Sequence, residues 1–143
     1  MKRTTVIAVI TYSFFFLFVY TSLSKLIAYD YYLFDLKRSP ILKSHATVIA
    51  VVIPFSELLV AAMLLPDKSR MYGFIGSWIL MALFTLYVLY VLVFTTSRPC
   101  TCGGIIRELS WPNHLIFNIS FLLLALLGIN LYSKERGSRK PPE

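Results

Sequence analysis

The chain has 143 residues and a formal net charge of +7; 57% of its residues are hydrophobic and 15% charged, where an ordinary soluble domain carries about 25% charged residues. A soluble domain of this size leaves too much surface in water to hide that apolar content, and 15% aromatics with long Leu, Ile, Val and Phe runs exclude a solvated coil. A bilayer is the remaining solvent, in keeping with a mean hydropathy of +0.71.

Runs of about 20 apolar residues predict four membrane spans, at about 4–29, 45–65, 71–96 and 112–132. The expected fold is all-α: a four-helix transmembrane bundle over residues 1–133, followed by a basic polar tail at 134–143. A membrane barrel would need a strict alternation that is absent. Lys2 and Arg3 make a basic start of the signal-peptide kind. The apolar stretch after them outruns a signal peptide's 7–15 residues, and no small-x-small cleavage site follows, so it reads as a retained span. Residues 30–44, with two acids and three bases, connect the first two spans; 66–70 forms a tight turn, and 97–111 leads into the fourth span. No internal repeat is visible.

The basic residues sit at the tails and between apolar runs. They form no stripe or helix face of the kind that grips nucleic acid, so nucleic acid is excluded as a partner and membrane lipid is expected. Lys2, Arg3, Lys68, Arg70, Lys134, Arg136, Arg139 and Lys140 fall on one side, and Lys37, Arg38, Lys43, Arg98 and Arg107 on the other. Eight against five puts both termini in the cytoplasm. The protein is then expected in a bacterial inner (cytoplasmic) membrane with segment 97–111 on the periplasmic side.

Two ionisable residues fall within the spans. Glu57, in Pro54-Phe55-Ser56-Glu57-Leu58-Leu59, should face the bundle interior, because a carboxyl at membrane depth needs a partner or a proton. Lys25 is the available cation in the first span. A rise of 1.5 Å per residue puts Glu57 roughly 18 Å below the start of its span and Lys25 roughly 6 Å below the end of its own. That gap of about 12 Å favours a snorkelling Lys25 and leaves Tyr20 or Tyr87 nearer to Glu57. The carboxyl is either a proton- or quinone-linked site or a packing hydrogen bond between helices.

Cys100 and Cys102 are the chain's two cysteines, in Arg98-Pro99-Cys100-Thr101-Cys102-Gly103-Gly104. In an oxidising compartment such a pair persists as a disulfide. The ring it closes is very small, hence strained and readily reduced, and cross-linking three residues removes little chain entropy. Redox exchange is the leading reading, with Cys100 and Cys102 as catalytic residues. Three others stand beside it: no role, a soft-metal site with His114, or bridges to a partner chain. Gly103 and Gly104 let another backbone come close, as partner docking needs. Ser110 reads as a helix N-cap and Pro112 as a first-turn residue, which puts His114 and Asn118 on one helix face. His114 is either a proton acceptor or thiolate stabiliser, or an interfacial histidine beside Trp111.

These residues resemble the MauE branch of the MauE/DoxX family of small four-helix membrane proteins. Ser22-Leu23-Ser24-Lys25-Leu26 looks like the family's small-residue and Lys-Leu ending of the first helix. Pro54 to Leu58 is similar to its P-x-x-E-L, and Cys100-Thr101-Cys102-Gly103-Gly104 with Trp111 to Asn118 resembles its Cys-x-Cys-x-Gly loop and fourth helix. The resemblance, over about residues 10–130, implies a redox-associated membrane protein that supports maturation of an envelope protein. The family's namesake is associated with methylamine dehydrogenase. Implied partners are a thioredoxin-like or disulfide-containing envelope protein and a membrane complex, with quinone the implied cofactor. The alternative is a non-catalytic subunit or scaffold of a maturation, secretion or DoxX-type quinone-linked complex.

Overall fold

The computed structural model describes residues 2–95 and 110–139. Within them, helix α1 runs Arg3–Ile27, α2 Tyr29–Arg38, a 3-10 turn Lys43–His45, α3 Ala46–Leu64, α4 Arg70–Phe94 and α5 Trp111–Arg139. Helices α1, α3, α4 and α5 are the four long apolar ones, each able to cross a bilayer. At 25 residues, α1 is about 37 Å long, more than the roughly 30 Å hydrocarbon core requires. In lipid a spanning segment must satisfy its backbone internally, and a continuous helix does so.

The four helices close a ring in which α1 packs on α3, α3 on α4, α4 on α5 and α5 back on α1. Large side chains fill its centre, Phe14, Phe18, Phe74, Leu64 and Met81, with the small Ala125 among them. Phe14 meets Phe121 edge-on with centroids 5.3 Å apart. Hydroxyls on the buried faces bond back to their own helices, Thr11 to the Ile7 carbonyl, Ser77 to Gly73 and Thr85 to Met81, which satisfies them without a partner helix. Phe16, Leu86 and Leu123 point outward with more than half of their surface exposed, as lipid-facing side chains must.

The α3–α4 turn is tied tightly. Arg70 donates to the carbonyls of Leu64 (2.9 Å) and Leu65 (2.6 Å) and pairs with Asp67, occupying carbonyls that a helix end leaves unmet. Tyr132 of α5 donates its hydroxyl to the Asp67 carbonyl at 2.6 Å. Close approach of α4 to α3 depends on glycine. A Cβ at Gly73 would lie 2.9 Å from the Leu64 backbone nitrogen, and one at Gly76 would lie 2.8 Å from Val60.

The connection between the first two spans is itself mostly helical. Ala28 alone, at φ −99° and ψ 40°, separates α1 from α2. Tyr32 and Leu36 lie one turn apart on α2 and pack in a small second core with Ala46 and Ala50 of α3. Asp30 in the first turn and Lys37 and Arg38 in the last complement the helix dipole. The far end of α2 is fastened to α4, where the Tyr87 hydroxyl donates to the buried Ser39 at 3.1 Å.

Candidate functional site

The depth count that made Lys25 snorkel is overturned. Lys25 Nζ donates to Glu57 Oε1 at 2.6 Å, with the two side chains 4% and 1% exposed. The count assumed that α1 ends level with the start of α3. Tyr32 and Leu36 of α2 instead pack against Ala46 and Ala50 in the first turns of α3, so α3 begins beside α2 rather than level with the end of α1. Tyr20, expected near the carboxyl, lies on an exposed face.

Three α1 residues, within about one helical turn, face the middle of α3. Thr21 donates to Glu57 Oε1 at 3.3 Å, and Ser22 donates to the Pro54 carbonyl at 2.8 Å. Lys25 then spans to the carboxylate. Its ammonium also lies 5.4 Å from the centroid of Phe84 and 6.0 Å from that of Tyr32, so aromatic faces cover the side of the cation turned from Glu57. A buried ion pair costs desolvation of both charges and holds only when neighbouring donors and faces complete it. Here the completing groups come from α1, α2, α3 and α4 together.

The pair borders a cavity of about 380 Å³. Its walls are mostly Leu, Ile, Phe and Tyr, from α1, α2, α3, α4 and α5, and its polar edge includes Thr21, Lys25, Glu57, His114 and Asn118. The His114 N–H donates to the Ser110 carbonyl at 2.9 Å, the first bond of α5 and the geometry expected of a residue at the N-cap. One turn apart, His114 and Asn118 are each 3% exposed. The ring of His114 stands 6.1 Å from that of Trp111. The cavity lies toward the α2 end of the bundle, while the glycine contacts hold α3 and α4 together at the opposite end.

Of the residues singled out in the sequence, Lys25, Glu57, His114 and Asn118 converge here, and Tyr87 joins them on the cavity wall. Thr21, Tyr32 and Phe84 were missed, and Ser22 was quoted only in the motif that ends at Leu26, although Thr21 and Ser22 sit four and three positions before Lys25 and so share its face. Cys100, Cys102, Gly103 and Gly104 lie outside the described residues. Among those described, no three His, Cys, Asp or Glu side chains gather in the manner of a metal site.

A family model described as methylamine utilisation protein MauE matches residues 3–131. Comparisons with curated proteins and with solved structures return no match.

Proposed function

The chain belongs to the MauE family, and from that premise we propose that it is a redox-associated inner-membrane protein whose Cys100 and Cys102 exchange disulfides with an envelope protein. One observation carries the reading. His114 and Asn118, in the helix that directly follows the cysteine segment, turn inward and share a cavity wall with the Lys25–Glu57 pair rather than facing lipid. Helix α4 ends at Phe94 and α5 begins at Trp111, and both cysteines fall between them in the sequence. The excess of Lys and Arg at the termini and the α3–α4 turn supports assigning the α2 end of the bundle to the periplasm, where disulfide chemistry operates.

In the exchange, the thiolate of one cysteine attacks a disulfide of the docked partner. A mixed disulfide forms, and the partner's other sulfur leaves as a thiolate. The second cysteine then displaces the partner, which departs as a dithiol and leaves a Cys100–Cys102 disulfide. A thioredoxin-like dithiol protein resets the pair by the same two steps, becoming oxidised itself. Gly103 and Gly104 give the partner backbone room to approach.

Single variants test this. Either Cys100→Ser or Cys102→Ser should accumulate a reducible covalent adduct with an envelope protein, because the resolving thiol is gone, and the double variant should show none. Cys100 is the expected attacking residue, so Cys102→Ser should trap the partner. If neither variant traps a partner and the double variant keeps full function, the exchange reading is refuted in favour of a scaffold.

A further inference from the structure

Glycine contacts close α3 on α4 near their turn. Toward the α2 end the cavity of about 380 Å³ stands between them, walled by Ile49 and Ile53 of α3 and by Leu83, Leu86 and Tyr87 of α4. Three of its lining residues, Ile41, Leu83 and Leu86, are also 45%, 53% and 63% exposed, so the cavity opens sideways, toward lipid. The Lys25–Glu57 pair at its back is sealed, at 4% and 1% exposure, and the wall an occupant meets is hydrocarbon and aromatic. We propose that this groove binds one anionic phospholipid, with an acyl chain in the cavity and the headgroup phosphate against Lys37 and Lys43.

The groove is graded as such an amphiphile is. Its deep part, beside Phe18, Met81 and Phe84, is apolar. About one and two turns nearer the α2 end stand Tyr87 and Tyr90. The Tyr87 hydroxyl donates to Ser39 and so ties down the segment in which Ile41 and Leu42 complete the lining. Tyr90 brings a second hydroxyl to this end, as tyrosine does at a membrane interface. Lys37 and Lys43 flank the same segment, both exposed and neither in an ion pair among the described residues. Arg38 is turned elsewhere, over the ring of Phe34. Cations beside an apolar mouth favour a negative headgroup over a zwitterionic one. The volume exceeds twice the roughly 150 Å³ that accommodates the six carbons of benzene, which leaves room for about a dozen tail carbons. Within a bilayer, burying hydrocarbon gains nothing by itself, because lipid tails are as apolar as leucine. The chain is held because it fills a void whose lining otherwise lacks contact partners, and the phosphate selects which lipid supplies it. Water does not compete, since apolar cavities stay dry. The inference is independent of the cysteines and of disulfide exchange.

The test uses the full chain, delipidated in detergent and offered equimolar phosphatidylglycerol, phosphatidylcholine and palmitate, with bound molecules counted by native mass spectrometry. One phosphatidylglycerol per chain should be retained, about tenfold over phosphatidylcholine, and it should raise the Tm of the delipidated protein. Ile53→Trp, which fills the groove, should abolish both the bound lipid and the Tm rise while keeping the helix content of the wild type. The exposed pair Lys37→Gln/Lys43→Gln, which leaves the packing untouched, should still hold a lipid but with its preference for phosphatidylglycerol reduced to about twofold or less. Absence of a one-lipid step, retention without preference, or an undiminished preference in the lysine variant would overturn the proposal. So would a bound lipid and Tm rise that survive in folded Ile53→Trp, or palmitate taken in place of phospholipid, which makes the occupant a free fatty acid.

Discussion

Glu57 takes two donors on one oxygen, from Lys25 and Thr21, so its substitutions separate hydrogen bonding from charge. Glu57→Gln keeps an acceptor for the ammonium and should be milder than Glu57→Leu, which strands Lys25 in a cavity lined by Leu and Phe. Removing one member of a buried pair costs about 3–5 kcal/mol. Thermal unfolding in detergent should therefore rank the wild type above Glu57→Gln and Glu57→Gln above Glu57→Leu. The double variant Lys25→Met/Glu57→Leu should recover most of the loss, because it leaves no uncompensated charge. If Glu57→Gln folds normally but loses function, the ionisable proton rather than packing is what the site needs. Both charges were legible in the sequence as intramembrane exceptions, but their pairing was not. Depth counted along separate helices is blind to a difference in the level of their ends, and here α3 begins beside α2 rather than beside the end of α1.

Helix boundaries follow the same logic. The long apolar elements stand out because bilayer thickness dictates their length, whereas α2 is short and rich in charge, and only the Tyr32–Leu36 spacing betrays its buried side. The glycines of α4 were not singled out either, since a close helix approach leaves no mark beyond the missing side chain. Their roles are separable by experiment. Gly73→Ala brings a methyl group against the backbone of α3, which cannot rotate away, so α4 must shift, at about 1–3 kcal/mol. Gly137→Ala meets nothing within 4 Å and should be neutral or stabilising by up to about 1 kcal/mol through helix propensity. Parallel thermal melts of the two variants should show opposite or unequal shifts, and equal losses would contradict the packing assigned to Gly73.

For the molecule as a whole, the bilayer class, the number of spans and the family were readable from apolar run length and motif order. The cavity was not, because it exists only where five helices contribute walls. The proposed orientation rests on the distribution of Lys and Arg and has a direct check. An impermeant thiol reagent added to reduced, intact spheroplasts should label Cys100 or Cys102. Labelling that requires permeabilised membranes would put their segment in the cytoplasm and remove the basis for disulfide exchange with an envelope protein.

The ion pair also sets a schedule for biosynthesis. Lys25 and Glu57 are 32 residues apart, with the cation first. As α1 enters the membrane, the long aliphatic stem of Lys25 can hold its ammonium at the interface. When α3 follows, its carboxyl, placed too deep to reach water, meets a cation already waiting. The reverse order would send an unpartnered acid into lipid first. Insertion of α3 therefore depends on α1 having preceded it, and a truncated chain that begins at α3 should integrate poorly unless Glu57 is replaced by leucine.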